Sequence, residues 1–220
     1  LPVAVEMRLQ GPGPAQLTIS GAGVSRVLEL SNPANFLGVY GLTIANGTSM
    51  GPGGCIYAEQ PSLVFLSNAV ITGCKATDDP TFVSTPFNGF GGGVFAYELI
   101  AVNTTISGNT AQTAGGGVAA GFVEMHQTLV TGNTVLGETV DVDSYLSNKY
   151  VLASTAAGGG GIVAGRAAYL AYSVVSNNTV NATRFTGTQN GNNYEYRFGN
   201  GGGISQIGVK YTNPMLAPAG

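Results

Sequence analysis

The sequence predicts an all-β protein that winds as a parallel β-helix, or β-solenoid, of about six to seven turns. Two repeated features predict this fold: glycine clusters that run into a short apolar strand, and apolar segments with Thr or Ser that end at Asn. Both recur at the same interval, since Gly93 and Gly117 are 24 residues apart and so are Asn109 and Asn133. A unit this short cannot bury its apolar face alone, and it must therefore stack on copies of itself.

Within one turn, the residues predict three brief strands separated by sharp corners. The predicted strands are residues 94–97, 100–102 and 104–107. They show two-residue alternation and β-branched side chains, and they lack the apolar spacing of three and four residues that a helix requires. The glycine clusters mark another corner, where a positive φ and a close approach of backbones favour residues without a Cβ.

Stacking the turns in register, about 4.8 Å apart, places equivalent residues of successive turns in interior files. Asn suits a corner file, because it tolerates a left-handed backbone and its amide can bond along the file. The predicted files are Ile56, Val94, Val118, Ile162 and Ile204; Ile44, Ile71, Ile106, Val130 and Val175; the small residues Ala58, Ala96, Ala120 and Ala164; and the corner residues Asn46, Asn109, Asn133 and Asn178.

Length variation is confined to one part of the repeat. The spacing from a glycine cluster to the next Asn position is nearly constant, whereas the spacing from there to the next cluster varies widely. Residues 75–90, 134–157 and 179–200 are therefore predicted to be long loops that leave the coil at one corner and project side by side. Loops of this length are uncommon in a compact repeat without a role.

The insertions carry aromatic and acidic residues that suit contact with a protein neighbour or with sugar rings. An equally weighted alternative is that the aromatic residues fold back and anchor the loops to the coil. The candidate contact residues are Asp78, Asp79, Phe87, Phe90, Tyr145, Tyr150, Tyr194, Tyr196 and Arg197.

Composition argues against two classes of partner. Eight Lys and Arg residues are scattered along a chain of net charge −3, so there is no basic stripe of the kind that nucleic acid or an anionic membrane requires. No apolar run approaches the roughly 20 residues of a membrane-spanning helix. We expect neither nucleic-acid binding nor a membrane span.

Candidate chemistry is sparse. The single histidine, His126, has no visible partner in its segment, and the adjacent Asp78 and Asp79 lie in an insertion rather than on a strand. A solitary histidine is more often a surface or capped residue than a general base. We expect no enzymatic activity and no cofactor. Oxygen ligands for an adventitious Ca²⁺ could come from Glu138, Asp141 and Asp143.

Cysteines and sequons bear on the compartment. Cys55 and Cys74 leave two alternatives open, a disulfide or two buried free thiols. The sequons offer four candidate N-glycosylation sites, at Asn46, Asn103, Asn177 and Asn181.

The chain opens at Leu1 within patterned strand, so we expect it to be part of a longer protein. Residues 1–212 are expected to form a single β-helix domain. Residues 213–220 contain two prolines and are expected to be an exit segment or linker.

Three segments carry a further motif signal: Gly92-Gly93-Val94, Gly116-Gly117-Val118 and Phe65-Leu66-Ser67-Asn68. They resemble the G-G-A-[ILV] and F-x-x-N motifs of polymorphic outer membrane protein-like surface proteins, although Gly or Cys stands where that group usually has Ala. The resemblance covers roughly residues 17 to 210, and it implies a right-handed coil.

Together these observations predict a non-enzymatic extracellular or cell-surface module, structural or adhesive, that is part of a larger assembly. Its expected partners are other protein subunits or further domains of the same chain, and glycans, contacted through the aligned insertions. Because β-helices host many functions, two alternatives stay open: a glycan-binding module, or a polysaccharide lyase or glycoside hydrolase. The enzyme would need carboxylates and a basic residue close together on consecutive turns.

Overall fold

The structure, a computed structural model, describes residues 2–3, 6–30, 36–58, 61–79, 81, 88–137, 139–141, 157–181, 183–189 and 192–206. Across these ranges the chain forms strands, turns and bends and no helix. The described residues accordingly contain no helical segment with the length and apolar character of a membrane span.

The strands are short, and most have two to five residues. In chain order they are β1 (Pro2–Val3), β2 (Met7–Gln10), β3 (Thr18–Ser20), β4 (Leu28–Leu30), β5 (Phe36–Tyr40), β6 (Thr43–Ala45), β7 (Thr48–Met50), β8 (Ile56–Ala58), β9 (Leu63–Ser67), β10 (Val70–Thr72), β11 (Lys75–Thr77), β12 (Val94–Val102), β13 (Thr105–Ser107), β14 (Thr110–Ala111), β15 (Val118–His126), β16 (Leu129–Thr131), β17 (Thr134–Val135), β18 (Thr139–Asp141), β19 (Ala157–Gly158), β20 (Ile162–Ala171), β21 (Val174–Ser176), β22 (Thr179–Val180), β23 (Thr183–Gln189), β24 (Asn192–Asn200) and β25 (Ile204–Gln206).

The coil is a right-handed parallel β-helix with three sheets, as the sequence predicts. The first sheet runs β1-β4-β8-β12-β15-β20-β25, and β2, β5 and β9 extend it beside the second half of the long strand β12. The second sheet runs β21-β16-β13-β10-β6-β3, and the third runs β22-β17-β14-β11-β7. Strands of successive turns pair in parallel, so each turn is covered by the next.

The predicted division of a turn into strands was wrong in two places. Residues 94–97 and 100–102 belong to one continuous strand, β12, because no glycine or proline interrupts them. The third sheet, which includes β14 and β17, was not predicted. Its strands follow the Asn position and are too short to show a two-residue alternation.

The predicted aliphatic files are confirmed by the pairing register. Ile56, Val94, Val118, Ile162 and Ile204 align in one file, and Ile44, Ile71, Ile106, Val130 and Val175 in the other. Ala96, Ala120 and Ala164 also align, and Ala58 is buried in the same way. Burial is complete in the middle turns and is lost at the last one, where Ile204 is 42% exposed.

The Asn file forms a hydrogen-bonded ladder inside the coil. Asn109 Nδ2 donates to Asn133 Oδ1 over 3.0 Å, and Asn133 Nδ2 donates to Asn178 Oδ1 over 2.9 Å. The same oxygens accept the backbone N–H groups of Asn109 and Asn133. Asn109 and Asn133 are fully buried, so the ladder satisfies polar groups that water does not reach.

Asn46 is not a member of this ladder, contrary to the sequence-based prediction. It is exposed, its φ is 53°, and it aligns with Gly73 one turn later. The left-handed corner is the position just before each ladder Asn. The φ values there are 65° for Gly108, 64° for Gly132 and 54° for Asn177. Gly47 therefore takes the ladder position in that turn.

A disulfide between Cys55 and Cys74 replaces one rung of the ladder. The bond length is 2.07 Å, the Cα atoms are 5.4 Å apart, and both residues are buried. Cys55 stacks on Gly93, and the Cys74 N–H donates to Asn109 Oδ1, so the two cysteines occupy the Gly and Asn positions of the repeat. In the next turn a Cβ built on Gly93 would lie 3.1 Å from Asn109 Nδ2. The interior corner is thus closed either by Asn against Gly or by Cys against Cys.

The insertions leave the coil after the third sheet and return at the glycine clusters. Residues 75–77, 134–135 and 179–180, which the sequence analysis assigned to insertions, are instead the third-sheet strands β11, β17 and β22. The second and third insertions pair with each other in the order β18-β23-β24-β19, and β23 with β24 is antiparallel. Residues 213–220, the expected linker, lie outside the described residues.

Replacing Asn133 by Ala should lower the free energy of unfolding by about 1–3 kcal/mol, because it leaves buried donors of Asn109 without an acceptor. Urea unfolding followed by circular dichroism measures this change. The exposed Asn181→Ala variant is the control and should change stability by less than about 0.5 kcal/mol. Equal stability of Asn133→Ala and wild type would contradict a stabilising ladder.

The double variant Gly93→Cys/Asn109→Cys should form a second disulfide one turn above the first, because it copies the Cys55 and Cys74 positions in register. Thiol titration under denaturing conditions should find no free thiol in the double variant and one in each single variant. Two free thiols in the oxidised double variant would show that the positions are not equivalent.

Candidate functional site

The candidate site lies on the outer face of the first sheet, where β12, β15 and β20 run side by side. Alternation along the strands turns Leu99 and Val123 into the core and leaves the neighbouring residues outside. A shallow groove of about 180 Å³ results, here called the first-sheet groove. It is lined by Glu98, Leu99, Phe122, Val123, Glu124, Ala167 and Tyr169.

A β-bulge shapes one side of the groove. Ala120 pairs with Ala164 and Phe122 pairs with Ala167, so β20 has one more residue than β15 between these pairs. Such a bulge bends the strand and re-aims a side chain. Gly121, at this bulge, lies very close to the backbone of β12. A Cβ on Gly121 would lie 2.7 Å from the Tyr97 carbonyl oxygen.

Arg166 is the residue that the bulge re-aims. Its guanidinium carbon lies 5.4 Å from the ring centroids of both Tyr97 and Phe122, and Nη1 donates to the Tyr97 hydroxyl over 3.2 Å. The two rings meet edge to face with centroids 6.0 Å apart. A cation over two ring faces holds this wall of the groove in place.

The opposite side of the groove carries an acid and an imidazole. Glu124 Oε1 lies 2.7 Å from His126 Nε2, and the His126 ring is 6.0 Å from the ring of Tyr169. The expectation that His126 has no partner was therefore wrong. The signal was present in the sequence, because residues two apart on a strand share a face. Tyr169 is 63% exposed and presents its ring to solvent.

These residues combine apolar ring faces with hydrogen-bond acceptors. Tyr169 offers an exposed ring face against which the C–H groups of a sugar can pack, and Phe122 adds an apolar wall. Glu98 and Glu124 can accept hydrogen bonds from hydroxyl or amino groups. All of them project from stacked strands, so a ligand would meet a surface that is already ordered.

The first insertion is fastened to the coil by Asp78. Its Oδ1 accepts hydrogen bonds from the N–H groups of Asn88 and Gly89, over 2.9 and 2.6 Å, and from the Thr113 hydroxyl over 2.8 Å. The anchoring alternative therefore describes Asp78 better than a role as a contact residue.

Asp79 and Phe90 also serve the loop. Asp79 Oδ1 accepts from the N–H and the hydroxyl of Thr81, and these bonds, the hydroxyl bond first, lower the pKa of the Asp79 carboxyl. Phe90 packs against the cluster of Ala114, Ala119 and Val163. The packing of Phe90 favours anchoring of this loop to the coil, whereas the Asp79 bonds lie within the loop.

The other candidate contact residues lie at position 87 and in the second and third insertions. Phe87, Tyr145 and Tyr150 lie outside the described residues. Tyr194, Tyr196 and Arg197 lie on β24, whose backbone pairs with β23. Of the three candidate calcium ligands, Glu138 and Asp143 are also outside the described ranges, and Asp141 is the last residue of β18. Within the described part of the chain, no three His, Cys, Asp or Glu residues gather as a metal site would require.

All four sequon asparagines are exposed. Asn46, Asn103 and Asn177 stand at left-handed corners with φ values of 53°, 47° and 54°. Asn181 follows the last third-sheet strand, β22. A glycan at any of these positions would point away from the coil.

Comparison of the chain with protein-family models, curated proteins and solved structures finds no match.

Thr81→Val should raise the pKa of the Asp79 carboxyl toward its ordinary value, because the hydroxyl donor is lost. A depressed folded-state pKa stabilises the fold above the unfolded pKa, and this stabilisation is lost as the pH falls through the folded pKa. Carboxyl ¹³C NMR titration of the wild type and variant measures the shift. Thr110→Val, on the coil, is the control, and an unchanged Asp79 pKa in Thr81→Val would refute the assignment.

Proposed function

We propose that the chain is an extracellular, non-enzymatic structural and adhesive β-helix module that binds a glycan in the first-sheet groove. The observation that carries the proposal is the meeting of the exposed Tyr169 ring, the apolar Phe122 and two carboxylates on three consecutive strands of one rigid sheet. Binding sites commonly pair apolar walls with a few polar groups that fix orientation. The groove has this composition.

The extracellular assignment is supported by the buried disulfide and the exposed sequons. Disulfides persist in oxidising compartments and are rare in the cytosol. The motif resemblance to polymorphic outer membrane protein-like surface proteins also supports an extracellular location. We propose that the chain is similar to these proteins.

A structural role fits the way the coil is built. Each turn contacts only its neighbours, so rigidity extends with every added turn. Val175, on the last strand of the second sheet that the structure describes, is only partly buried, although Val130, one turn earlier, is fully buried. Stacking against a further domain or a protein subunit, which the proposal includes as partners, would bury this residue further.

The proposal revises which surface makes contact. In the first insertion Asp78 and Phe90 hold the loop to the coil, and the second and third insertions pair with each other. We therefore place the glycan contact on the first sheet and assign the described parts of the insertions a supporting role.

Tyr169→Ala should weaken glycan binding at least tenfold, which corresponds to about 1.4 kcal/mol, because the exposed ring face is lost. A glycan array identifies bound oligosaccharides, and isothermal titration calorimetry gives the affinity. Tyr172→Ala is the matched control, since Tyr172 is 92% exposed and lies outside the groove lining. Absence of any bound glycan, or equal binding by Tyr169→Ala and wild type, would reject the proposal.

One observation favours a polysaccharide-cleaving enzyme as a second candidate. Glu98, Glu124 and Arg166 lie on one face of three consecutive turns, which is the arrangement that an enzyme would need. Strand spacing and rise put the Cα atoms of the two glutamates roughly 8 Å apart. In inverting glycoside hydrolases the two carboxyl groups, rather than their Cα atoms, are about 6.5–9.5 Å apart, a distance that side chains at this Cα spacing can reach.

A panel of plant, fungal and bacterial polysaccharides separates the two candidates. The adhesive module should release no new reducing ends and no unsaturated products. Release of either by the wild type, abolished in Glu124→Gln, would establish the enzyme instead.

A further inference from the structure

We infer that the first-sheet groove selects cationic sugars, that is, glycans with free amino groups such as glucosamine oligosaccharides. The inference rests on the proposed glycan-binding function and names the ligand class. It follows from the charges that line the groove, from the unpaired state of one carboxylate and from the position of the aromatic rings.

The groove lining is acidic. Of the seven lining residues that the structure describes, Glu98 and Glu124 are carboxylates and none is Lys, Arg or His. Arg166 lies over the rings of Tyr97 and Phe122 at one wall. His126 is engaged with Glu124 beyond the opposite wall. Glu98 is therefore the described lining carboxylate that neither Arg166 nor His126 contacts.

Glu98 is the carboxylate best placed to meet a ligand cation. In register it lies between Leu63 and Phe122, so both of its neighbours along the file are apolar. Its side chain is partly buried and forms no hydrogen bond or ion pair with the residues that the structure describes. A partly desolvated carboxylate without a partner gains from a bound ammonium group.

The rings reinforce this preference. Tyr169 presents an exposed ring to the groove, and an ammonium group near a ring face is attracted by the ring quadrupole. A uronic acid would bring a third negative charge to the same place and would be repelled. A neutral sugar would keep the stacking contact and lose the ionic one. The expected order of affinity is amino sugar, then neutral sugar, then uronic acid.

Calorimetry with three tetrasaccharides tests the order: glucosamine, N-acetylglucosamine and galacturonic acid tetramers. The glucosamine tetramer should bind at least tenfold more tightly than the N-acetylated one at low salt. Glu98→Gln should remove that advantage and leave the N-acetylated tetramer within about twofold of wild type. Raising the ionic strength should weaken only the glucosamine tetramer. Glu6→Gln, an exposed carboxylate outside the groove lining, is the matched control.

The outcomes separate this inference from the proposed function. Equal binding of glucosamine and N-acetylglucosamine tetramers, or an advantage that survives in Glu98→Gln, would overturn the selection for cationic sugars and leave glycan binding intact. No binding of any tetramer, together with an empty glycan array, would overturn both. Circular dichroism of each variant verifies that the coil is retained.

Discussion

Register between turns depends on one interior corner. There the last glycine of a cluster, such as Gly117, faces the residue that follows a left-handed backbone position, such as Asn133. In two consecutive turns that residue is a buried Asn, whose amide bonds both to the next Asn and to the backbone carbonyl of the preceding turn, as Asn133 does to Ile106. The glycine opposite leaves room for the amide, since a Cβ on Gly117 would lie 3.1 Å from Asn133. Space and hydrogen bonding thus require both members of the pair together.

The cysteine pair supports this account, because it changes both members at once. Where Cys74 takes the Asn position, Cys55 takes the Gly position, and a covalent bond fills the same gap. The Cys74 N–H still donates to Asn109, so the ladder continues from the disulfide into the next turn. A rigid, registered coil then allows groups from separate turns, such as Glu98, Phe122 and Tyr169, to share one groove without loop closure.

The parts of the fold that repeat could be predicted from the sequence, and the parts that differ between turns could not. Equivalent Ile and Val residues at a constant interval determine the interior files. The third sheet was not predicted because strands such as Thr110–Ala111 are too short to carry a pattern. Asn46 was assigned to the wrong position because two adjacent corner positions both accept Asn. The groove depends on an extra residue in β20 and on outward side chains that no repeat constrains, so only the Glu124 and His126 pairing was open to prediction.

If one turn is a complete structural unit of 24 residues, the coil should survive excision of residues 94–117. The deletion joins Gly93 to Val118, so β15 should take the place of β12 on β9 and the ladder should run from Cys74 to Asn133. The shortened protein should keep its far-UV circular dichroism per residue and unfold cooperatively in urea. A deletion of 94–115, two residues shorter, should fail to fold in register. If the variant lacking 24 residues is unfolded, or if the two deletion variants have the same circular dichroism and urea unfolding, one turn is not an independent structural unit.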